Sequence, residues 1–251
     1  MIDLHTHVLP GVDDGPPTID ESLGILADSA ASGVRMVAAT PHVRDDYPTT
    51  ASVMEGLVAA LRREAGANGI AVEVLTGGEI ALDRLSVTPT AELRRFGLGG
   101  NSRYLLVEFP YYGWPLNLAE ELASLRSAGF AVMLAHPERN AEVQAAPGRL
   151  APLVDDGTLV QLTAASFSGT LGRRCRATAL RLLELGLAHV VASDAHARGA
   201  RMGLAALRKE ISDERLAQWL TADVPRAIVT DEVVPTRPTR KRSLRWAWTA
   251  R

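Results

Sequence analysis

Met1-Ile2-Asp3-Leu4-His5-Thr6-His7 reads as a short strand that runs into two histidines. Side chains alternate along an extended chain, so His5 and His7 face one side and Thr6 the other. Two imidazoles offered to one pocket are a common way to hold a divalent cation. One such pair settles little, but the arrangement recurs. Apolar runs at 34–39, 71–76, 104–107, 131–135, 158–162 and 189–193 read as buried strands. With 1–4 they make seven. Between them lie stretches of helical period at 19–32, 51–67, 117–127, 148–155 and 173–185. The first is capped by Thr18, with Glu21 three residues on, and stops at Gly33. Strands alternating with helices imply parallel strands joined by right-handed crossovers. The expected fold is α/β, a distorted seven-stranded (β/α)7 barrel, with a doubly wound open sheet as the alternative.

Beyond Met202 the pattern turns helical, at 202–211, 213–220 and 222–228, as a C-terminal cap on the barrel. A break follows at Pro235-Thr236-Arg237-Pro238. Residues 1–234 are expected to form the barrel domain and 235–251 a basic, disordered tail. From Arg237 onward the chain carries six basic residues and no acid, together with Trp246 and Trp248. A tail of that chemistry also suits peripheral contact with an anionic membrane surface or an acidic partner.

The 251 residues and 47% hydrophobic content supply a sizeable core. Aromatics at 5% argue against an aromatic-lined carbohydrate or single-stranded nucleic-acid surface. A net charge of −2 gives no basic signature for nucleic acid. Cys175 has no partner for an internal disulfide. Its neighbours Arg173, Arg174 and Arg176 would favour a thiolate, but no Cys-x5-Arg phosphatase loop surrounds it, and it reads as a helix residue. The chain opens directly on a strand, without a basic region followed by an apolar run. No stretch approaches the roughly 18 apolar residues of a membrane span. A cytoplasmic protein is expected.

In parallel α/β folds functional residues gather where strands end. Here those positions hold His5 and His7, then Asp13 and Asp14, His42, Glu79, Glu108, His136, and finally Asp194 and His196. Five of the six histidines sit there; the sixth, His189, opens a strand and reads as structural. A single His or Glu after a strand is often a cap or a packing residue. Together, Glu79, Glu108 and Asp194 would repel one another and be costly to desolvate without a cation. Nine candidate ligands (His5, His7, Asp14, His42, Glu79, Glu108, His136, Asp194 and His196) exceed what one ion needs. They fit two or three divalent ions sharing carboxylates, and a donor set without thiolate suits manganese, iron or zinc. Adjacent cations acidify a shared water and stabilise attacking and leaving oxygens together, which suits hydrolysis at phosphorus.

A phosphate ester also needs a cationic clamp. Arg139, three residues past His136, and Arg201, beyond His196, are the candidates, ahead of Arg44 and Arg198. Gly77-Gly78 is expected to let the backbone pass close to the metals. It is not a nucleotide loop, because no Gly-x4-Gly-Lys-Ser/Thr occurs in the chain.

Residues 2–15, Ile-Asp-Leu-His-Thr-His-Val-Leu-Pro-Gly-Val-Asp-Asp-Gly, resemble the opening of the bacterial capsule and exopolysaccharide tyrosine-protein phosphatases. These form a branch of the polymerase-and-histidinol-phosphatase (PHP) superfamily. Ala39-Thr40-Pro41-His42, Gly78-Glu79, Val107-Glu108-Phe109-Pro110, Ala135-His136-Pro137-Glu138-Arg139-Asn140 and Ser193-Asp194-Ala195-His196 follow that branch in order. The resemblance spans about residues 1–230 and implies a trinuclear metal site. It assigns His5, His7, Glu79 and Asp194 to one ion. Glu79, Glu108 and His136 fall to a second, and Asp14, His42 and His196 to a third. Asp13 is the alternative to Asp14, and Arg139 and Arg201 would bind phosphate. The implied activity removes phosphate from tyrosines, typically on the tail of a bacterial tyrosine kinase that governs polysaccharide export. The basic tail is not explained by the resemblance.

Three rival readings are set against it. A small-molecule phosphatase such as histidinol-phosphatase would use the same site. A non-catalytic module should lack ligands, and none is missing. An amidohydrolase would carry a lysine at a strand end, whereas the body of this chain has only Lys209, in a late helix.

Overall fold

The computed structural model describes residues 1–199, 204, 207 and 210–239. In chain order its elements begin with β1 (Ile2–Thr6), α1 (Ile19–Ala31), β2 (Met36–Ala39), β3 (His42–Arg44), β4 (Tyr47–Pro48), α2 (Ala51–Ala67), β5 (Glu73–Leu75) and β6 (Glu79–Ala81). There follow α3 (Thr90–Arg95), β7 (Tyr104–Glu108), α4 (Leu118–Ser127), β8 (Ala131–Ala135), α5 (Ala141–Ala145), α6 (Ala151–Asp155), β9 (Leu159–Thr163), α7 (Ala164–Ser168) and α8 (Arg173–Leu185). The chain closes with β10 (Val190–Ala192), α9 (Glu214–Gln218) and α10 (Val224–Val229).

Pairing is parallel throughout except for the short β3–β4 hairpin. One sheet orders β1-β2-β5 and the other β10-β9-β8-β7-β6-β3-β4. The two are joined where β2 runs on into β3, and again where Asp194 N–H donates to the His5 carbonyl and His7 N–H to the Ala195 carbonyl, both at 2.9 Å. Backbone pairing thus travels from β1 around the fold and back to β1. The central strands β7 to β10 read as near-continuous apolar runs because both faces are covered. Leu105, Leu106, Leu134, Val160, Leu162 and Val191 are fully buried.

The seven expected strands all exist, as β1, β2, β5, β7, β8, β9 and β10. Two of them are interrupted and resume, which the apolar pattern did not register. After β2, Pro41 has no N–H to give a ladder, and the chain resumes at His42 as β3. After β5, Gly77-Gly78 precede a resumption at Glu79, and His42 then pairs directly with Glu79. Packing constrains those glycines. A Cβ on Gly78 would lie 2.6 Å from the Phe96 ring, and one on Gly77 would lie 3.0 Å from Thr40 Cγ2.

The helices follow their sequence signals closely where caps are present. Thr18 Oγ1 accepts from Glu21 N–H at 3.3 Å and starts α1 as expected. The expected helix at 148–155 is instead a 3-10 turn, Pro147–Leu150, followed by α6. Helices α3, α5 and α7 have no counterpart among the expected helices. The two expected helices after 213 are a single rod: α9, a π turn over Trp219–Asp223, and α10. Arg201, most of the expected helix 202–211 and the tail beyond 239 lie outside the described residues. The first residues of the expected tail are seated on the body. Trp219 Nε1 donates to the Pro235 carbonyl at 2.8 Å, and Arg237 donates to the Leu183 carbonyl at 2.7 Å.

Candidate metal centre

The nine candidate ligands converge on one rim, at and just beyond the carboxyl ends of the strands. Glu79, wholly buried, is the hub. Its Oε1 lies 2.8 Å from His136 Nε2. Its Oε2 lies 3.0 Å from His42 Nδ1, 3.3 Å from His7 Nε2 and 3.4 Å from His5 Nε2. Asp194 Oδ1 faces His5 and His7 at 3.4 and 3.5 Å. Asp14 Oδ1 faces His196 Nε2 at 3.3 Å and His42 Nε2 at 3.5 Å, at the open side.

Four groups have donor atoms close enough to share a cation: His5, His7 and Asp194; His5, Glu79 and His136; His42, Glu79 and Glu108; and His7, Asp14, His42 and His196. Two of these overlap sets expected from the resemblance, one without Glu79 and the other with His7 added. The third expected set does not stay together. Glu108 groups with His42 and Glu79 on one side of the hub, and His136 with His5 and Glu79 on the other. Glu108 is also drawn outward by Arg44, whose Nη1 lies 3.3 Å from Oε1.

The imidazoles are aimed from behind. His5 Nδ1 meets Gln161 Oε1 at 3.0 Å, and His7 Nδ1 meets Asp13 Oδ2 at 2.8 Å. Each acceptor fixes a proton on Nδ1 and leaves Nε2 for the centre. The two Nε2 atoms lie 3.2 Å apart. Asp13 also accepts from His42 N–H at 3.0 Å and Gly15 N–H at 3.0 Å. Asp13 is thus engaged with His7 and two backbone N–H groups, while Asp14 faces His196 and His42. His136 and Asp194 hold left-handed backbone conformations, φ 34° and 54°, which non-glycine residues rarely adopt.

Charge in the cluster is mutual. Burial opposes ionisation of Glu79 and Asp194, but His5 holds both well below the usual carboxylate range, with Arg139 adding to the effect on Asp194. Burial likewise opposes charge on His5, yet Glu79 and Asp194 raise its pKa; His7 is raised further, by Asp13 and Glu79. His196, nearer the surface, is lowered by burial and by His7. Glu79 Oε2 and His42 Nδ1 are buried without a hydrogen bond although they lie 3.0 Å apart. Two lone pairs turned to the same point suit a shared cation, so the donor set fits divalent metal.

Arg139 touches this centre through Asp194 and Arg44 touches it through Glu108, whereas Arg198 does not. The Arg139 guanidinium contacts Asp194, Thr163 Oγ1 at 3.2 Å and Tyr111 Oη at 3.3 Å. Arg44 is held by Asp46 at 2.7 and 2.8 Å, and Arg198 lies 3.6 Å from Asp28. Cys175 is also discounted. Burial and Glu138 push its thiol up, opposite to the thiolate its arginine neighbours suggested.

Three contributors escaped the sequence reading. Gln161 is buried in β9 and also accepts from His136 N–H at 3.3 Å. Its signal was a polar residue inside the run Leu159–Leu162. Glu138 is buried and accepts from Thr163 N–H at 2.8 Å and Ser166 Oγ at 2.7 Å, tying the Arg139 turn to β9. Tyr111 carried no signal beyond its nearness to Glu108.

Among the described residues no helix is long and apolar enough to cross a membrane. The family model for capsular polysaccharide synthesis, CpsB/CapC, matches residues 1–228. Tyrosine-protein phosphatase YwqE of Bacillus subtilis is 31% identical, covering 97% of this chain and 98% of its own. Tyrosine-protein phosphatase CpsB of Streptococcus pneumoniae is 28% identical over 93% of this chain and all of its own. A solved structure from work on YwqE and CpsB, metal-dependent tyrosine phosphatases, superposes with a TM-score of 0.82 at 29% identity. It covers 96% of this chain and 100% of that one. Sequence and fold are similar along almost the whole length, and the chain belongs to the CpsB/CapC family of capsular polysaccharide synthesis.

Proposed function

We propose that this chain is a metal-dependent protein-tyrosine phosphatase acting in capsule or exopolysaccharide synthesis. The observation that carries the reading is the buried cluster around Glu79, where Glu79 Oε2 and His42 Nδ1 lie 3.0 Å apart without a hydrogen bond, beside Arg139, which pairs with Asp194. The names of its relatives support the substrate class. The working unit is taken as residues 1–234.

His5, His7 and Asp194 would hold one ion. Glu79, with His136 and Glu108 on its two sides, would hold or bridge a second, and Asp14, His42 and His196 a third. Manganese is the first choice for this donor set, with iron or zinc as alternatives. Bound there, the ions supply Lewis-acid stabilisation of phosphoryl oxygens and an acidified water. The protein's own part is positional. Gln161 and Asp13 keep His5 and His7 turned inward. Arg139, whose pKa burial lowers but Asp194 and Glu138 raise above the usual arginine value, stays charged and clamps non-bridging oxygens. No covalent phosphocysteine forms. Because the cluster raises the pKa values of His5 and His7, protons compete with metal as the pH falls. The physiological partner is a tyrosine-phosphorylated protein in the cytoplasm, such as the tail of a tyrosine kinase.

The test is phosphate release from phosphotyrosine peptides and from histidinol phosphate, by protein stripped with chelator and reloaded with manganese. Release from the peptides, absent before reloading, is the expected result. Preference for histidinol phosphate would move the protein to small-molecule chemistry, and full activity without metal would overturn the scheme.

A further inference from the structure

Tyr111 belongs to none of the metal-competent groups, yet it touches residues on their edge. Its Oη accepts from Arg139 Nη1 at 3.3 Å, and its ring stacks with His136 at a centroid distance of 6.1 Å and 22° between planes. The loop that carries it is fastened. Asn140 Nδ2 donates to the carbonyls of Pro110 at 2.6 Å and Gly113 at 2.9 Å, and Ala141 N–H donates to the Tyr111 carbonyl at 2.9 Å. Asn140 and Ala141 follow Arg139 directly in sequence, so one short segment sets both the guanidinium and the ring. Tyr111 remains 42% exposed, while the adjacent Tyr112 is 84% exposed.

A cleft of 570 Å³ opens here, within the size range of small-molecule sites. Leu82, Pro110 and Tyr111 contribute apolar lining, and Arg44, Asp83, Glu108 and Glu121 contribute charge. Because Arg139 Nη1 lies 3.3 Å from Tyr111 Oη, the organic group of a phosphate ester clamped by Arg139 would come within reach of the Tyr111 ring. An aryl ester presents a flat ring just beyond the ester oxygen, and an alkyl ester presents a methylene. Only the former gains from a fixed aromatic face.

We propose that Tyr111 is the specificity-determining residue for the aromatic ring of the substrate, which lies against Tyr111 in the cleft walled by Leu82 and Pro110. The proposal rests on the phosphatase reading above and adds the discrimination between aryl and alkyl phosphates.

The test uses the manganese-loaded protein and two non-hydrolysable probes, phenylphosphonate and methylphosphonate, whose dissociation constants are measured by calorimetry. The wild type should bind the phenyl compound more tightly. Tyr111→Leu should narrow that ratio by about fivefold, and Tyr111→Phe should keep most of it, because stacking needs the ring and not the hydroxyl. Tyr112→Ala should leave the ratio unchanged. The same ordering is expected for kcat/KM on phenyl phosphate against an alkyl phosphate, with melting temperature confirming that each variant folds. An unchanged ratio in Tyr111→Leu overturns the proposal. So does an equal loss in Tyr111→Phe and Tyr111→Leu, which would make Tyr111 only a positioning residue for Arg139. A wild type that releases phosphate from no ester overturns the phosphatase reading, and the phosphonate ratio then still decides the platform.

Discussion

Two histidines at opposite ends of the strands make a controlled comparison. His5, at the carboxyl end, lies among Glu79 and Asp194 and is drawn towards the charged form despite full burial. His189, just before β10 at the other end, is lowered to about 4 by burial and then by Arg237. Its Nδ1 accepts from Val160 N–H at 3.1 Å, which requires the neutral ring. Burial pushes both in the same direction, and the facing charges decide the outcome. The upper histidines sit in an acidic shell suited to a cation; the lower one is a strand connector that must stay uncharged.

The largest effect should come from breaking the acidic shell. Asp194→Ala and His136→Ala should each lower phosphatase activity by about 10³-fold or more, on the scale of losing a principal transition-state contact, while circular dichroism stays native. Full activity in either metal-replete variant would erase the functional contrast between the two ends. A second variant tests the orienting residues alone. Gln161→Leu leaves every proposed ligand in place but removes the acceptor behind His5 Nδ1. A loss of about 10- to 100-fold in manganese affinity is expected, measured by competition with a chelator. Unchanged affinity would mean that packing alone aims His5.

How much of this was legible depends on what each residue was reporting. The clustering of the candidate ligands was readable because each follows an apolar run, and a strand end is where a parallel fold displays side chains. The interruption of β2 and β5 was hidden. Pro41 and Gly77-Gly78 read as ordinary ends, whereas the pairing of His42 with Glu79 is made between strands that resume after them. Gln161 and Asp13 were harder still. Their contribution is a hydrogen bond to a residue 156 positions away for Gln161, and one 6 positions away for Asp13, chosen by tertiary approach rather than by local pattern. Its place three residues past His136 favours Arg139 over Arg44 in the sequence, and only the fold shows Arg44 between Asp46 and Glu108 and Arg139 beside Asp194.

The neutral end gives a pH test of opposite sign. With a folded pKa near 4 and an unfolded value near 6.5, His189 binds fewer protons in the native state. Its contribution to stability is intact at neutral pH and is lost as the pH falls from about 6.5 towards 4. After discounting for partial exposure, the loss between pH 7 and pH 5 is about 1–2 kcal/mol. Chemical denaturation of the metal-free protein should show His189→Gln flattening that slope. An unchanged slope would place the acid sensitivity elsewhere.

The smallest expected effect belongs to Arg237. Replacing it with alanine removes a hydrogen bond to the Leu183 carbonyl, worth about 1 kcal/mol, and a positive charge facing His189. Because burial is the larger cause of the depressed histidine pKa, Arg237→Ala should move that pKa only part of the way back. The variant should therefore be slightly less stable at neutral pH and slightly less sensitive to acid than the wild type. An NMR titration of His189 reads the pKa directly. If the pKa returned fully to its ordinary value, charge rather than burial would govern both ends. The contrast with His5 would then reduce to the sign of the neighbour alone.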